Sequence, residues 1–220
     1  MAPKTYEVCL EVSGPMAMFA RPDTGAAPTS YPAPTWSAAK GILEAIAFLS
    51  DGRAWLHPTC VEICKRHNAL GGAVTYQRYA TNYGGPLRKA ANVRNETGMQ
   101  VFATVLADVC YRIHAEVRGA RAEAGCNPRH HLHDLFLRRL SQGRCHRTPA
   151  LGWSEFTCDY WGAPRMGETV VDEDLTMEIP SMLLAMWDRE TSGGYATRFA
   201  QRVRIEAGAL RYKVDAKSSL

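Results

Sequence analysis

Apolar and polar residues alternate at the start of the chain and then change period. In residues 4–13 the larger apolar side chains fall on one side of an extended segment, which predicts a strand with one buried face: Tyr6, Val8, Leu10 and Val12. From Ala38 to Leu49 the apolar residues recur every three or four positions, which predicts an amphipathic helix. Thr35 or Ser37 is positioned to cap this helix, and Asp51-Gly52 to end it. The proline-rich stretch 20–35 between the two is predicted to be a loop.

The same patterns recur further along. They predict strands at about 54–65, where His57-Pro58 weakens the start, and at 101–118. A second helix is predicted over about 130–142, opened by Asn127-Pro128 and stopped by Gly143. Glycines break residues 67–98 into short strand-like pieces such as VTYQRYA. A short strand follows the turn in ALGWSEFTCDYW, and a hairpin is predicted around Ala207-Gly208.

These elements indicate an α+β protein with the strand–helix–strand–strand–helix–strand order of ferredoxin-like, RRM-like domains. We expect this domain to cover residues 1–162, with a basic hairpin or thumb inserted at about 66–100. Residues 163–220 are expected to form a smaller β-rich extension. RNA-recognition modules use this arrangement, but many unrelated functions share it, so function has to be argued from particular residues.

Composition excludes some classes of protein. The chain has 220 residues, 46% hydrophobic and 22% charged, and no apolar run of about twenty residues, so no membrane span is expected. The N-terminus has no secretory pattern, and we therefore expect a cytoplasmic location. The seven cysteines are scattered and odd in number, which argues against a disulfide framework and favours buried thiols.

Positive charge is segregated along the chain. The net charge is only +4, yet no acidic residue occurs between Lys65 and Asn95, and a second arginine-rich stretch runs from Arg112 to Arg147. Solvated basic faces are common, but the first stretch is interleaved with tyrosines, whose rings can stack on unpaired bases. Together the two stretches favour a nucleic acid as the partner.

Three segments resemble one known family. The first contains Phe19, Arg21, Pro22, Ser30, Tyr31 and then Ser37 to Ile46 (SAAKGILEAI). The second is ADVCYRIHAEV. The third runs from HHLHDLF to a Leu-Gly-x-x-Glu-Phe turn carried by Leu151, Gly152, Glu155 and Phe156. In these segments, spread over about residues 4–160, the chain resembles the Cas-five family of type I-C CRISPR systems, a branch of the RAMP superfamily; the last sixty residues match only loosely.

The resemblance implies a subunit of an antiviral Cascade-type surveillance complex. Such a subunit grips the 5′ handle of the CRISPR RNA (crRNA) and contacts the large subunit and the nearest Cas-seven backbone subunit. Target DNA near the PAM is a further candidate partner. In type I-C systems this family also cuts the repeat of the precursor RNA in place of a separate Cas-six enzyme.

Metal-free RNA cleavage uses the ribose 2′-OH as nucleophile and needs a base, an acid and a cation near one phosphate. In the family these roles fall to a tyrosine just after the first helix and to a Lys-His pair opening the second. Ala47 stands at the tyrosine position here, so that role is lost or has moved. At the pair we predict Arg129 and His130, with His131 as a further catalytic candidate. An ungapped alignment instead places His131 and Leu132 there. Phosphate binding without cleavage, or a merely solvated helix start, are the alternatives for this cluster.

We predict an RNA-binding set in which cations contact phosphates and tyrosines contact bases: Arg21, Tyr31, Lys40, Arg78, Tyr83, Arg88 and Lys89. An ordinary exposed helix lysine is the alternative for Lys40, and a plain turn for the glycines before Arg88. Four tyrosines could replace the missing one, although each is more typical of a stacking or core residue: Tyr31, Tyr76, Tyr79 and Tyr83.

Two groups of residues contain possible zinc ligands: Cys126, His130, Cys145 and His146, and the pair Cys60 and Cys64. Neither has paired C-x-x-C knuckles, so no metal and no cofactor are expected.

Three functions stay open from the sequence. The histidines favour a crRNA-maturation endoribonuclease, Ala47 favours a non-catalytic crRNA-capping subunit, and an unrelated RNA-recognition module is the third.

Overall fold

A computed structural model describes residues 5–66, 71–83, 99–120, 127–187 and 195–213. These ranges contain nine strands and two helices, in the following order: β1 (Glu7–Ala17), α1 (Trp36–Ile46), β2 (Ala54–Arg66), β3 (Thr75–Tyr83), β4 (Met99–Gly119), α2 (Pro128–Ser141), β5 (Tyr160–Gly162), β6 (Thr169–Val171), β7 (Met177–Trp187), β8 (Tyr195–Glu206) and β9 (Ala209–Arg211). No helix among them is long and apolar enough to cross a membrane.

All nine strands belong to one antiparallel sheet. Its main path runs β5-β1-β4-β2-β9-β8-β7, while β3 pairs with β4 and β6 with β2. The protein is therefore a largely antiparallel sheet with two helices, and the α+β class is confirmed. Helix α1 lies in the chain between β1 and β2, and α2 lies between β4 and β5. These four strands are neighbours in the sheet, in the order β5-β1-β4-β2.

The alternation predicted for β1 is confirmed by burial. Val8, Leu10 and Val12 are buried in the core beneath the helices, together with Tyr111 and Ile113 of β4. Burial of such side chains is the main stabilising contribution to the sheet, at roughly 1.5–3 kcal/mol for each fully buried Val, Leu or Ile.

Helix α1 begins as predicted and ends earlier. The Thr35 hydroxyl accepts a hydrogen bond from the Ala38 N–H at 3.2 Å, which makes Thr35 the N-cap. The predicted end at Asp51-Gly52 is wrong, because Ala47 already has an extended backbone with φ −151°. The carbonyls of the last turn are bonded by a distant segment, in which His146 N–H donates to Ala45 O at 2.9 Å. Nothing in the local sequence indicates that partner.

The predicted basic hairpin corresponds to an arm made of β3 and residues 99–107 of β4, paired from Thr75↔Ala107 to Tyr83↔Met99. The remainder of the predicted insertion, residues 84–98, lies outside the described residues. Asp172 fixes the base of the arm, because its carboxylate accepts bonds from Ala73 N–H at 2.8 Å and from Lys65 Nζ at 2.9 Å. Burial would raise the pKa of Asp172, but these donors outweigh it and lower the pKa below its usual value.

The Leu-Gly-x-x-Glu-Phe turn has a steric explanation. Leu151 O accepts from Met18 N–H at 2.9 Å, which brings the turn against the end of β1. Gly152 has φ +93°, and a Cβ built on it would lie 1.8 Å from Met18 O. Only glycine fits a backbone that approaches this closely in a left-handed conformation.

Residues 163–213 contribute β6 to β9 to the same sheet, and the predicted turn at Ala207-Gly208 is confirmed, with φ +47° and +74°. A buried network attaches this region to the centre. Glu11 is fully buried and accepts bonds from Arg112 Nε at 3.1 Å, Arg165 Nε at 2.8 Å and Thr169 Oγ1 at 2.9 Å. The proposed division at residue 162 stays a prediction.

Candidate functional site

The first turn of α2 carries the predicted catalytic residues. Asn127 is its N-cap, with a side-chain oxygen that accepts from His130 N–H at 3.3 Å. Pro128 occupies the first turn, where a missing N–H costs nothing. Leu132 and Phe136 are completely buried, and this orientation leaves the opposite face of the turn towards solvent. His130 and His131 are both exposed as a result.

His130 is paired with a carboxylate one turn further along. His130 Nε2 lies 3.1 Å from Asp134 Oδ2, and the two side chains are 51% and 58% exposed. His133 Nδ1 lies 3.5 Å from the other oxygen of Asp134. The Tyr6 ring lies beside both imidazoles, at centroid distances of 5.7 Å to His130 and 5.4 Å to His133.

Tyr6 and the helix cap are joined. Asn127 Nδ2 donates a hydrogen bond to the Tyr6 hydroxyl at 3.2 Å, so the residue that starts α2 is tied to the chain just before β1. The imidazole of His130 thus lies on a helix turn fixed by Asn127, beside the Tyr6 ring and against Asp134. A histidine oriented by a carboxylate through one ring nitrogen keeps the other nitrogen available for proton transfer.

Arg129 and His131 flank this pair. Arg129 is half-buried, and its Nε is a buried atom without a hydrogen-bond partner in the described part of the chain. His131 is exposed and lies near Asp51, where it adds slightly to a lowering of the Asp51 pKa that comes mainly from hydrogen bonds with Arg53. The arrangement therefore joins a histidine–carboxylate pair with two nearby groups that can carry positive charge.

A family model described as CRISPR-associated protein (Cas_Cas5), and specific to Cas5d, matches residues 7–213. This chain belongs to the Cas5d family. The resemblance seen in the sequence is confirmed, and the match extends to residue 213, so it covers most of the last sixty residues, where the sequence resemblance was only loose.

Two Cas5d relatives support the assignment. A protein of Thermus thermophilus, named CRISPR pre-crRNA endoribonuclease Cas5d, is 30% identical over 174 residues, covering 79% of this chain and 70% of its own length. A protein of Mannheimia succiniciproducens with the same name is 32% identical, covering 69% of this chain and 70% of its own. The fold is also similar to a crystal structure of a CRISPR-associated protein, with a TM-score of 0.65 and 17% identity over 99% of this chain and 98% of that one.

Ala47 occupies the position at which the Cas5d resemblance implies a tyrosine. It is the C-cap of α1 and is completely buried, so it offers no group for proton transfer. The alternative alignment of the Lys-His pair would put Leu132 in the second place, and Leu132 is buried too. Of the two alignments, only the one with Arg129 and His130 places an exposed imidazole in the second position, which the resemblance assigns to histidine.

The predicted RNA-binding residues are not all gathered in one place. Arg21 is exposed and pairs with Asp23 at 2.7 Å, and Arg78 is exposed on the arm. Lys40 pairs with Glu44 one turn further along α1. Tyr31 is only 3% exposed, and its hydroxyl accepts from Leu183 N–H at 3.1 Å, so its ring presents no open face to a base.

The remaining members of that set fall at or beyond the edge of what is described. Tyr83 ends β3, but its side chain is not described, and Arg88 and Lys89 lie outside the described residues. The RNA-binding roles of the whole set stay predictions.

The residues that sequence reasoning missed are Tyr6, Asn127 as a positioning group, and Asp134. Asp134 could have been found, because a carboxylate four positions after a histidine lies on the same helix face. Tyr6 could not, since it is 121 residues from Asn127 and only the fold brings them together. Of the four tyrosines considered as replacements, Tyr76 and Tyr79 belong to the arm and Tyr31 to the core.

No group of three or more His, Cys, Asp or Glu residues suited to a metal ion occurs within the described ranges. Of the zinc-ligand candidates, Cys126 lies outside them. The His146 ring packs edge-on against Phe48 at 4.7 Å, while His130 pairs with Asp134.

Proposed function

We propose that this chain binds the repeat of a CRISPR precursor RNA and cuts it without a metal. The observation that supports this is the exposed His130, oriented by Asp134 on the first turn of α2. Exposure is needed because the substrate is a polymer that must reach the imidazole from solvent. A histidine suits the proton transfer, since imidazoles titrate near neutral pH.

In the proposed reaction His130 Nδ1 accepts the proton of the ribose 2′-OH. The 2′ oxygen attacks the adjacent phosphorus, a bond forms between them, and the bond from phosphorus to the 5′ oxygen breaks. Arg129 and His131 balance the charge that develops on the phosphate. The 5′ oxygen leaves with a proton from solvent or from a protonated histidine, which yields a 2′,3′-cyclic phosphate and a 5′-OH.

The names of both relatives support this reaction, since each is called a pre-crRNA endoribonuclease. By the family resemblance, we propose that after cleavage the chain keeps the 5′ handle of the crRNA in a type I-C surveillance complex. There it would contact the large subunit and the Cas-seven backbone subunit, with target DNA near the PAM as a further contact. We also propose a ferredoxin-like core, supported by the strand order β5-β1-β4-β2 with one helix crossing after β1 and one after β4.

Cleavage of the cognate repeat RNA in EDTA tests the proposal. We expect a discrete cut by the unaltered protein, a loss of about 100-fold or more in single-turnover rate for His130→Ala, and no activity for His130→Ala with His131→Ala. His114→Ala is the matched control, because His114 is on β4 next to Glu62 and takes no part in the α2 site. A cut that persists unchanged in both His130 variants would contradict the proposed role of His130.

A non-catalytic capping subunit is the second candidate, favoured by the buried Ala47. The same assay separates the two. RNA that is bound tightly but left intact by the unaltered protein supports the capping role and rejects cleavage.

A further inference from the structure

Arginines without a carboxylate partner are concentrated around α2. Elsewhere in the described residues most cations of the strands and loops form ion pairs: Arg21–Asp23, Arg53–Asp51, Lys65–Asp172, Arg112–Glu11, Arg118–Glu116, Arg165–Glu11 and Arg204–Glu178. By contrast, within those same ranges Arg138, Arg144 and Arg147 lie within ion-pair distance of no carboxylate and are exposed. Clustered unpaired cations are typical of a surface that binds a polyanion.

The backbone that carries these cations is fixed to the end of α1. Arg144 N–H donates to Arg139 O at 2.9 Å, and Arg147 N–H donates to Ala45 O at 3.0 Å. Arg139 adds a side-chain bond, from its Nη1 to Ile46 O at 2.7 Å. The segment after α2 is therefore held in place, and the guanidinium groups extend from a rigid base.

Two aromatic rings lie at the same place. Phe48 follows the end of α1 and is 39% exposed, and the exposed His146 packs against it with the ring planes at 76°. Exposed rings surrounded by cations are the arrangement by which proteins bind single-stranded nucleic acid, with bases stacking on rings and phosphates contacting arginines.

We call this surface the α1–α2 corner and define it by Phe48, Arg138, Arg144, His146 and Arg147. It is close to the proposed cleavage site. From His130 to Arg138 the helix advances eight residues, or about 12 Å at 1.5 Å per residue. A strand with its scissile phosphate at His130 reaches the corner within a few nucleotides.

We propose that the α1–α2 corner binds the single-stranded segment of the repeat RNA next to the cleavage site. The inference rests on the proposed function for its substrate, but it concerns binding and not cleavage. Phe48 supplies a stacking face, His146 supports that face, and Arg138, Arg144 and Arg147 contact phosphates on either side of it.

The test measures the affinity for repeat RNA in EDTA at several salt concentrations for Arg144→Ala with Arg147→Ala. We expect binding about tenfold weaker at physiological salt, and a slope of log K against log salt that is shallower by about 1.4, or 0.7 for each lost phosphate contact. Arg202→Ala with Arg204→Ala is the matched control, because it removes the same charge from β8. The control is expected to shift affinity by less than about twofold, since distant exposed charges are screened.

Phe48 provides an independent measurement on the same surface. We expect Phe48→Ala to weaken binding by about tenfold and Phe48→Trp to retain it, because any large aromatic face can stack on a base. Circular dichroism and urea unfolding verify that each variant is folded.

Two results would overturn the inference: equal affinities for the corner and control variants, or an undiminished effect of the corner variants on a blunt hairpin without single-stranded flanks. The outcome does not depend on cleavage. If the unaltered protein binds RNA through the corner but does not cut it, the nuclease proposal fails and the inference stands. If it cuts RNA while the corner variants bind normally, only the inference fails.

Discussion

At the scale of single residues, the proposed chemistry depends on how one imidazole is held. Asp134 Oδ2 lies 3.1 Å from His130 Nε2, which leaves Nδ1 as the nitrogen available for proton transfer in the proposed reaction. Asp134 is a positioning residue in this scheme, since it acts on the RNA only through His130. The pair is exposed, so its value lies in fixing the tautomer and the direction of the ring and not in stability.

We therefore predict that Asp134→Asn lowers the single-turnover cleavage rate by about 10- to 100-fold and leaves RNA affinity unchanged. The asparagine keeps the size of the side chain but removes the charge that selects the tautomer of His130. The pH–rate profile should also move, which a purely structural role would not produce. An unaltered rate and profile would show that His130 works without Asp134.

At the scale of elements, both helices begin with a side-chain cap, but only one cap serves the site. Thr35 caps α1, whereas Asn127 caps α2 and also donates to the Tyr6 hydroxyl. The α2 cap consequently fixes the turn that carries His130 relative to β1. Loss of either cap side chain leaves one backbone N–H of the first helical turn without a hydrogen-bond acceptor.

This contrast gives a matched pair of substitutions. We predict that Thr35→Ala and Asn127→Ala each lower the free energy of unfolding by about 1 kcal/mol, as N-cap deletions do. Only Asn127→Ala should also reduce cleavage at saturating RNA, because only that change loosens the first turn of α2. Urea unfolding and single-turnover cleavage measure the two effects, and an equal loss of cleavage in Thr35→Ala would contradict the explanation.

At the scale of the whole molecule, buried carboxylates connect the C-terminal strands to the central sheet. Burial would raise the pKa of Glu11, but hydrogen bonds from Arg165, Thr169 and Arg112 outweigh it and lower the pKa below 4.5. Asp172 has a lowered pKa for the same kind of reason. Because the folded pKa values lie below the unfolded ones, both carboxylates contribute stability above the unfolded pKa values, and this contribution is lost as pH falls through the folded ones.

We predict that Glu11→Gln lowers the free energy of unfolding at pH 7 by about 3 kcal/mol, since it leaves Arg112 and Arg165 without their buried partner. The difference from the unaltered protein should shrink as the pH falls below about 4.5, where Glu11 itself becomes protonated in the unfolded state. Glu178→Gln is the control, because its pair with Arg204 is exposed and is expected to contribute less than about 1 kcal/mol. Urea unfolding at pH 7 and at a pH below about 4.5 measures the free energy of unfolding of each protein. A difference between variant and unaltered protein that stays the same at both pH values would contradict the linkage to Glu11.

Structural features set by neighbouring residues could be predicted from the sequence, and features set by contacts between distant residues could not. The alternation in β1 and β4 and the capped start of α1 are properties of neighbouring residues, and all were predicted. The end of α1 was not, because residues about one hundred positions away bond its last carbonyls. The histidines of α2 were found from their cluster, whereas Tyr6 and the Glu11–Arg165 pair depend on contacts between distant parts of the sequence.

Strand β4 belongs to both the arm and the central sheet. It is a single strand of 21 residues, about 70 Å long, which serves as one side of the arm and also as a central strand of the sheet. Lengthening the arm by two residues on each of its strands would move its tip outward by about 7 Å and preserve which side chains face which way. A one-residue insertion in β4 alone would shift its pairing with β3 by one residue and turn its side chains to the opposite face of the sheet. Paired additions therefore extend the reach of the arm while each side chain keeps its face.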